Sequence, residues 1–244
     1  MSNKNLITGD LTNPEGEALD YTYQASRMKR TKGVVIIGHG VTANKDRDWA
    51  VVLADALGAA GYGSVRFSFS GNGDSEGDFR ASCPTKQAGD ASAVLDFVTD
   101  EYDGPVYYAG HSMGAAVGVL LASSDTRLEG LISLAGMVHT GDFAQRKFGD
   151  QTPDQSLMWD KPECPLSQAF MDDMRAVDSV LDLASRIQVR WLLIHGSADS
   201  VVPLTESQQI AAQAPDAQLQ VITNADHVFT NSAKVMASVV CDWI

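Results

Sequence analysis

The chain predicts an α/β fold in which a mostly parallel central sheet carries helices on both faces. Two observations support this. Short apolar runs alternate with helical patterns along the 244 residues, as in a series of βαβ units. In one such unit, the apolar run Pro105-Val106-Tyr107-Tyr108-Ala109 passes through Gly110-His111-Ser112-Met113-Gly114 straight into a small-residue helix starting Ala115-Ala116-Val117-Gly118. That reads as strand, forced turn and helix, with a serine at the apex.

The elements follow in order. Two antiparallel strands are expected first, around Leu6 to Asp10 and Ala18 to Ala25. Between them and the buried strand Val34 to Ile37 lies the basic cluster Arg27-Met28-Lys29-Arg30-Thr31-Lys32, read as a solvated tip. An amphipathic helix over Asp48 to Ala60 is stopped by Gly61-Tyr62-Gly63. A strand over Ser64 to Phe69, a Gly-rich loop and a helix near Lys86 to Thr99 lead to the serine turn, whose helix runs to about Ser123. Strands at Leu131 to Leu134 and Val189 to Ile194, a helix from about Pro203 and a short strand at Gln218 to Ile222 complete the pattern. Counting this way, the strand at Leu131 is the sixth, and more residues follow it than one crossover helix needs. The excess, about 138–175, is expected to form a small cap insertion within a single domain spanning 1–244. Its Phe143, Phe148, Trp159 and Phe170, with several methionines, either shape a pocket or form the insertion's own core.

A serine on so sharp a turn needs neighbours without Cβ atoms two positions away on each side, and Gly110 and Gly114 meet that demand. The turn lifts the hydroxyl clear of the sheet, while the following helix aims free N–H groups and a positive dipole end at the same place. A hydroxyl is a weak nucleophile at neutral pH, so the chemistry requires a histidine base and an acid that orients it. Of the five histidines, His227 lies on a loop just after the last strand, and Asp199 lies in the turn after the strand ending at Ile194. The order Ser112, Asp199, His227, each beyond the carboxyl end of a strand, forms a candidate catalytic set. Asp226 adjoins the histidine too closely to fold back onto its Nδ1 and is read as a turn residue.

Acyl chemistry also needs donors for an oxyanion. The strand Val34 to Ile37 runs into Gly38-His39-Gly40-Val41-Thr42, which places the Val41 N–H as one donor, with Met113 N–H as the other. His39 is read as a brace for its loop, His111 as a packing residue of the serine turn and His195 as a strand-end residue. His139, Phe143 and Trp159 are candidate substrate contacts.

These residues resemble those of the α/β-hydrolase superfamily, and over nearly the whole chain the similarity is to small bacterial esterases related to cinnamoyl and feruloyl esterases. The segments that carry it are His39 to Lys45, Arg66 to Gly77, the serine turn, Asp199 and His227. The chain departs from that family at Ser68, usually aspartate or asparagine, and at Ser70, often arginine or a larger polar residue. The resemblance implies the α/β-hydrolase fold and an esterase working through an acyl-enzyme, on aryl or hydroxycinnamoyl esters in the most specific version. Thioester or amide hydrolysis and acyl transfer remain open with the same residues, as does a receptor that binds without turnover. A serine nucleophile excludes the dehalogenase version of the fold, which needs a carboxylate.

Composition narrows the partners. A net charge of −13 disfavours nucleic acid. No stretch approaches the ~20 apolar residues that span a bilayer. The start, Met1 to Asp10, lacks a signal-like apolar core, so a cytoplasmic protein is expected. Cys83, Cys164 and Cys241 are spaced for neither zinc nor redox work. No cofactor or metal is implied, and the expected partner is a small-molecule ester bound by a monomer or homodimer.

Overall fold

The computed structural model describes residues 7–244. Its sheet has the order β1-β3-β2-β4-β5-β6-β7, with β1 antiparallel to β3 and every other pair parallel. The strands are β1 (Tyr21–Gln24), β2 (Val34–Gly38), β3 (Gly63–Phe67), β4 (Val106–His111), β5 (Leu128–Leu134), β6 (Arg190–Gly196) and β7 (Ala217–Ile222). Helices α1 (Asp48–Ala60), α2 (Pro84–Glu101), α3 (Met113–Ala122), α4 (Thr140–Phe148), α5 (Gln168–Val177), α6 (Leu204–Gln213) and α7 (Ala233–Trp243) connect and follow them.

Side chains alternate across each strand, and both faces are buried. Val35, Ile37, Ala109, Ile132, Leu192 and Ile194 pack with Trp49, Leu53 and Leu57 of α1 and with Met236 and Val240 of α7. Ile36, Val65, Tyr108, Leu131 and Leu193 face the other way, towards Val94 and Val98 of α2, Val117 of α3 and Ile210 of α6. Helix α1, which follows β2, therefore lies on one face, and α3, which follows the adjacent strand β4, lies on the other. The loops leaving β2 and β4 diverge, opening a crevice beyond their carboxyl ends, where ligands of open α/β sheets bind.

Several expected boundaries move. Leu6 lies outside the described residues, and residues 7–10 form no strand. Ile7 and Leu11 instead bury themselves in the core, and Asn13 Oδ1 closes a turn by accepting from the N–H groups of Glu15 and Glu17. One strand fewer precedes the expected insertion, which follows β5, the fifth strand, rather than a sixth. Strand β3 stops two residues before the expected Phe69: Ser68 N–H still donates to Asp20 O (2.9 Å), but side chains take the two donors after it. Phe69 N–H donates to His39 Nε2 (3.1 Å) and Ser70 N–H to Asp90 Oδ2 (2.9 Å). Ser70 Oγ also donates to Asp90, so the chain's departure at Ser70 is absorbed in a buried hydrogen-bonded cluster.

Between β5 and β6, α4 and α5 pack on each other around a third apolar cluster. Phe143, Phe148, Phe170, Met158 and Met174 fill it together with Met113 at the start of α3. Most of the aromatic content of 138–175 is therefore core of its own.

Candidate active site

Beyond the end of β4, Ser112 adopts φ 55° and ψ −118°, a conformation that costs a non-glycine residue about 1–3 kcal/mol. The backbone around it enforces this shape. Ser112 N–H donates to Leu134 O of β5 (2.9 Å), and Ser112 O accepts from Ala115 N–H (3.0 Å) and Met137 N–H (3.1 Å). The two glycines have different jobs. A Cβ on Gly110 would strike the Gly114 carbonyl and the backbone of Ala115, and one on Gly114 would strike the carbonyls of His39 and Gly38. The first lets the chain reverse, and the second lets α3 approach the end of β2. With its main chain so fixed, Ser112 presents a hydroxyl that no described group engages in a hydrogen bond.

The loops after β6 and β7 bring Asp199 and His227 together, with His227 Nδ1 2.8 Å from Asp199 Oδ2. A carboxylate only accepts, so the proton sits on Nδ1 and leaves the Nε2 lone pair free. His227 and Ser112 line the same cleft, with no hydrogen bond between them among the described residues. Such contacts commonly tighten only when substrate binds. The Asp199 side chain is fully buried. Burial pulls its pKa up, but donors from His195 and His227 outweigh it and hold the carboxyl well below its usual range. Its other oxygen, Oδ1, accepts from the N–H groups of Val201 (2.8 Å) and Val202 (3.0 Å). Asp226 is occupied elsewhere, capping its own turn through Thr230.

Two histidines anticipated as structural are so. His39 Nδ1 donates to Gly40 O (2.8 Å) while Nε2 accepts from Phe69 N–H, tying the end of β2 to that of β3. His111 Nε2 donates to His227 O (2.8 Å), and its ring lies between those of Trp49 and His227. The serine turn thus holds the main chain of the histidine loop. The third, His195, does more than end a strand. It is fully buried, accepts from Ser207 Oγ at Nδ1 (2.7 Å), and points Nε2 at Val202 O (3.0 Å) and Asp199 Oδ2 (3.2 Å). Asp199 is therefore gripped from two sides. Its position four residues before Asp199, at a strand end, was the available sequence signal.

Burial pushes His39 down to about 4 and His111 down to about 3. An unfolded chain protonates both near pH 6.5, so below that pH the unfolded state binds more protons and stability falls as pH falls. The loss expected for the two together at pH 5, relative to pH 8, is roughly 4 kcal/mol. Asp199 adds to it only below about pH 4, where its depressed pKa makes the unfolded chain take up a proton first. Urea unfolding at pH 8, 6 and 5 checks this, and a flat profile would contradict neutral burial of both rings.

The cleft offers about 200 Å³ and is partly open to solvent, a little smaller than the ~300–1,000 Å³ of drug-sized sites. Val41, Phe143 and Trp159 line it, together with Arg47, Lys161, Val201 and Val228, which came from separate segments and carried no sequence signal. His139 does not line the cleft. Its ring is held by Gln209 (2.8 Å) and Ser179 (3.1 Å), and buried Glu206 accepts from the backbone N–H groups of Val138 and His139, so the start of α4 is pinned to α6. The N–H groups of Val41 and Met113 donate to nothing among the described residues. None of the three cysteines lines the cleft. Among the described residues no group of three or more His, Cys, Asp or Glu could hold a metal ion, and no helix is long and apolar enough to cross a membrane.

Fold and site together define a serine hydrolase on the α/β-hydrolase fold. The chain belongs to the serine aminopeptidase S33 family, whose model matches residues 29–152 and 163–233. Among curated relatives, the mitochondrial palmitoyl-protein thioesterase ABHD10 of Rattus norvegicus is 24% identical over 92% of this chain and 77% of its own. Among solved structures, Est1E from Butyrivibrio proteoclasticus, with ferulic acid bound, superposes with a TM-score of 0.87 at 21% identity over 96% of this chain and 97% of its own. Mouse α/β hydrolase domain-containing protein 10 superposes with a TM-score of 0.75 at 19% identity, over 96% of this chain and 97% of its own.

Proposed function

We propose that the protein hydrolyses small carboxylic esters through an acyl-enzyme on Ser112, with His227 as general base and Asp199 as its orienting acid. The observation that carries this reading is the single cleft shared by Ser112 and His227, with His227 Nδ1 clamped by a buried carboxylate. His227 Nε2 takes the Ser112 proton as Oγ bonds to the ester carbonyl carbon, and Asp199 stabilises the imidazolium. The oxyanion accepts from the N–H groups of Val41 and Met113, which have no other partner among the described residues. Collapse breaks the bond to the alcohol, which leaves with the proton from His227. Water then repeats the sequence on the acyl-enzyme and releases the acid.

Residues 138–175 act as a cap in this reading. Phe143, buried at the floor of that segment, and Trp159, 43% exposed at its rim, border the acyl or alcohol pocket. Trp159 stacks edge-on against Phe148 with ring centroids 4.9 Å apart, so its position depends on the cap's own core. A cytoplasmic location and a monomeric or dimeric state complete the proposal.

The test is hydrolysis of 4-nitrophenyl esters from acetate to dodecanoate, with methyl ferulate alongside. Turnover with a chain-length optimum that Trp159→Ala shifts to longer chains is the expected result. A folded enzyme silent on every ester, whose Ser112 also fails to react with a fluorophosphonate, would leave the receptor reading instead. The thioester reading has its own support in the palmitoyl-protein thioesterase activity for which the ABHD10 relatives are named. Faster turnover of an acyl thioester than of the matching oxygen ester would favour it. Hydrolysis of an aminoacyl amide, as the family's description suggests, would require the same acyl-enzyme.

A further inference from the structure

The chain carries 31 acidic against 18 basic side chains, yet the cleft reverses that balance. No carboxylate lines it, whereas two cations do, Arg47 from the start of α1 and Lys161 from the loop before α5. Neither is spent on an ion pair. The Arg47 guanidinium has no partner among the described residues, and Lys161 Nζ reaches only the Thr42 carbonyl, at 3.5 Å. The nearest carboxylates by sequence form no ion pair with them among the described residues. Asp46 is engaged by Lys45 and Arg66, while Asp48 and Asp160 are exposed and lie outside the cleft lining. Among the other described basic side chains, Arg27, Lys45, Arg66, Lys86, Arg127 and Arg175 pair with carboxylates. The charge of Arg47 is also felt inside the site: after burial, it is among the influences that lower His39 and His111.

We propose that the ester bound at Ser112 carries a carboxylate on its acyl or its alcohol half, and that Arg47 and Lys161 form the subsite that receives it. The inference rests on the hydrolase reading for its reacting centre and adds the charge of the substrate. Two unpaired cations beside an otherwise apolar wall of Val41, Phe143, Trp159 and Val228 suit a molecule apolar along its length and anionic at one end. In an enzyme of net charge −13, they also provide a local attraction for an anion that the surface as a whole repels.

Two pairs of isosteres separate the two halves. Mono-(4-nitrophenyl) glutarate against 4-nitrophenyl valerate tests the acyl side, and 4-carboxybenzyl butyrate against 4-methylbenzyl butyrate the alcohol side. The expected result is a charged-to-neutral ratio in kcat/KM of roughly 10 or more for one pair at low salt, falling about tenfold in the Arg47→Gln/Lys161→Gln double variant and in 1 M NaCl. Ratios at or below one for both pairs, unchanged in the double variant, overturn the subsite. Calorimetric binding of monoethyl glutarate against ethyl valerate to Ser112→Ala reads the acyl side without chemistry, and 4-carboxybenzyl against 4-methylbenzyl alcohol reads the other. Loss of turnover on every ester would therefore overturn the hydrolase reading, while the binding preference, and its disappearance when Arg47 and Lys161 are also replaced, still decides the subsite.

Discussion

Ser112→Ala lowers kcat/KM on a 4-nitrophenyl ester by roughly 10⁴–10⁶ and leaves the fold in place. The hydroxyl makes no hydrogen bond among the described residues, and the bonds that shape the turn run through the main chain to Leu134, Ala115 and Met137. Alanine keeps the strained φ of 55°. Glycine does not suffer from it, so Ser112→Gly is expected to be equally inactive yet more stable than wild type by about 1 kcal/mol. That pairing, function lost while stability rises, is what a strained nucleophile predicts and a merely structural serine does not. Turnover and urea unfolding of the two variants check it. Activity within tenfold of wild type in Ser112→Ala would place the nucleophile elsewhere.

The second large effect is on folding. Gly110→Ala is expected to cost more than about 4 kcal/mol, enough to abolish a cooperative unfolding transition, because its Cβ would meet the backbone of Gly114 and Ala115 rather than a side chain that can turn away. The chain supplies its own controls. Gly16 has open space around it but φ of 81°, so Gly16→Ala pays only for backbone conformation, about 1 kcal/mol. Gly89 sits inside α2 with only Pro14 at contact distance, and Gly89→Ala is expected to stabilise by about 0.5–1 kcal/mol. Circular dichroism and denaturant melts of the three variants separate collision, backbone conformation and helix propensity. Similar small losses in all three would mean that the serine turn is looser than its contacts indicate.

Both effects fall on residues that the sequence marks openly. The serine turn is legible because its constraints are local: a strand, a helix start and two glycines within a few residues force one geometry. The order of Asp199 and His227 is legible because strands of a parallel sheet all end on the same side, so loops far apart in the chain converge. The failures have an equally physical origin. The expected strand at Leu6 to Asp10 had apolar residues but formed no ladder in its described part. Ser68 and Phe69 read as strand, yet β3 ends at Phe67 and His39 captured the Phe69 backbone donor.

His139 shows the limit most clearly. It leaves the sheet at the correct end for a substrate contact, and whether it faced the cleft depended on Glu206, Gln209 and Ser179, which approach it from α6 and from the loop after α5. The same holds for His195, whose grip on Asp199 depends on the path of the turn between them.

Local periodicity and turn chemistry alone thus suffice for the α/β class, the parallel order, the nucleophile's turn and the three residues proposed for catalysis, because each follows from short-range sterics or from the common polarity of parallel strands. Three features have no local cause: the choice of side chains that face the cleft, the double hold on Asp199, and the presence of both Arg47 and Lys161 in the cleft lining. They arise where separate loops and helices pack together, His227 lying 28 residues from Asp199 and Lys161 more than a hundred from Arg47, and only that packing sets which polar group finds a partner and which is left facing the substrate.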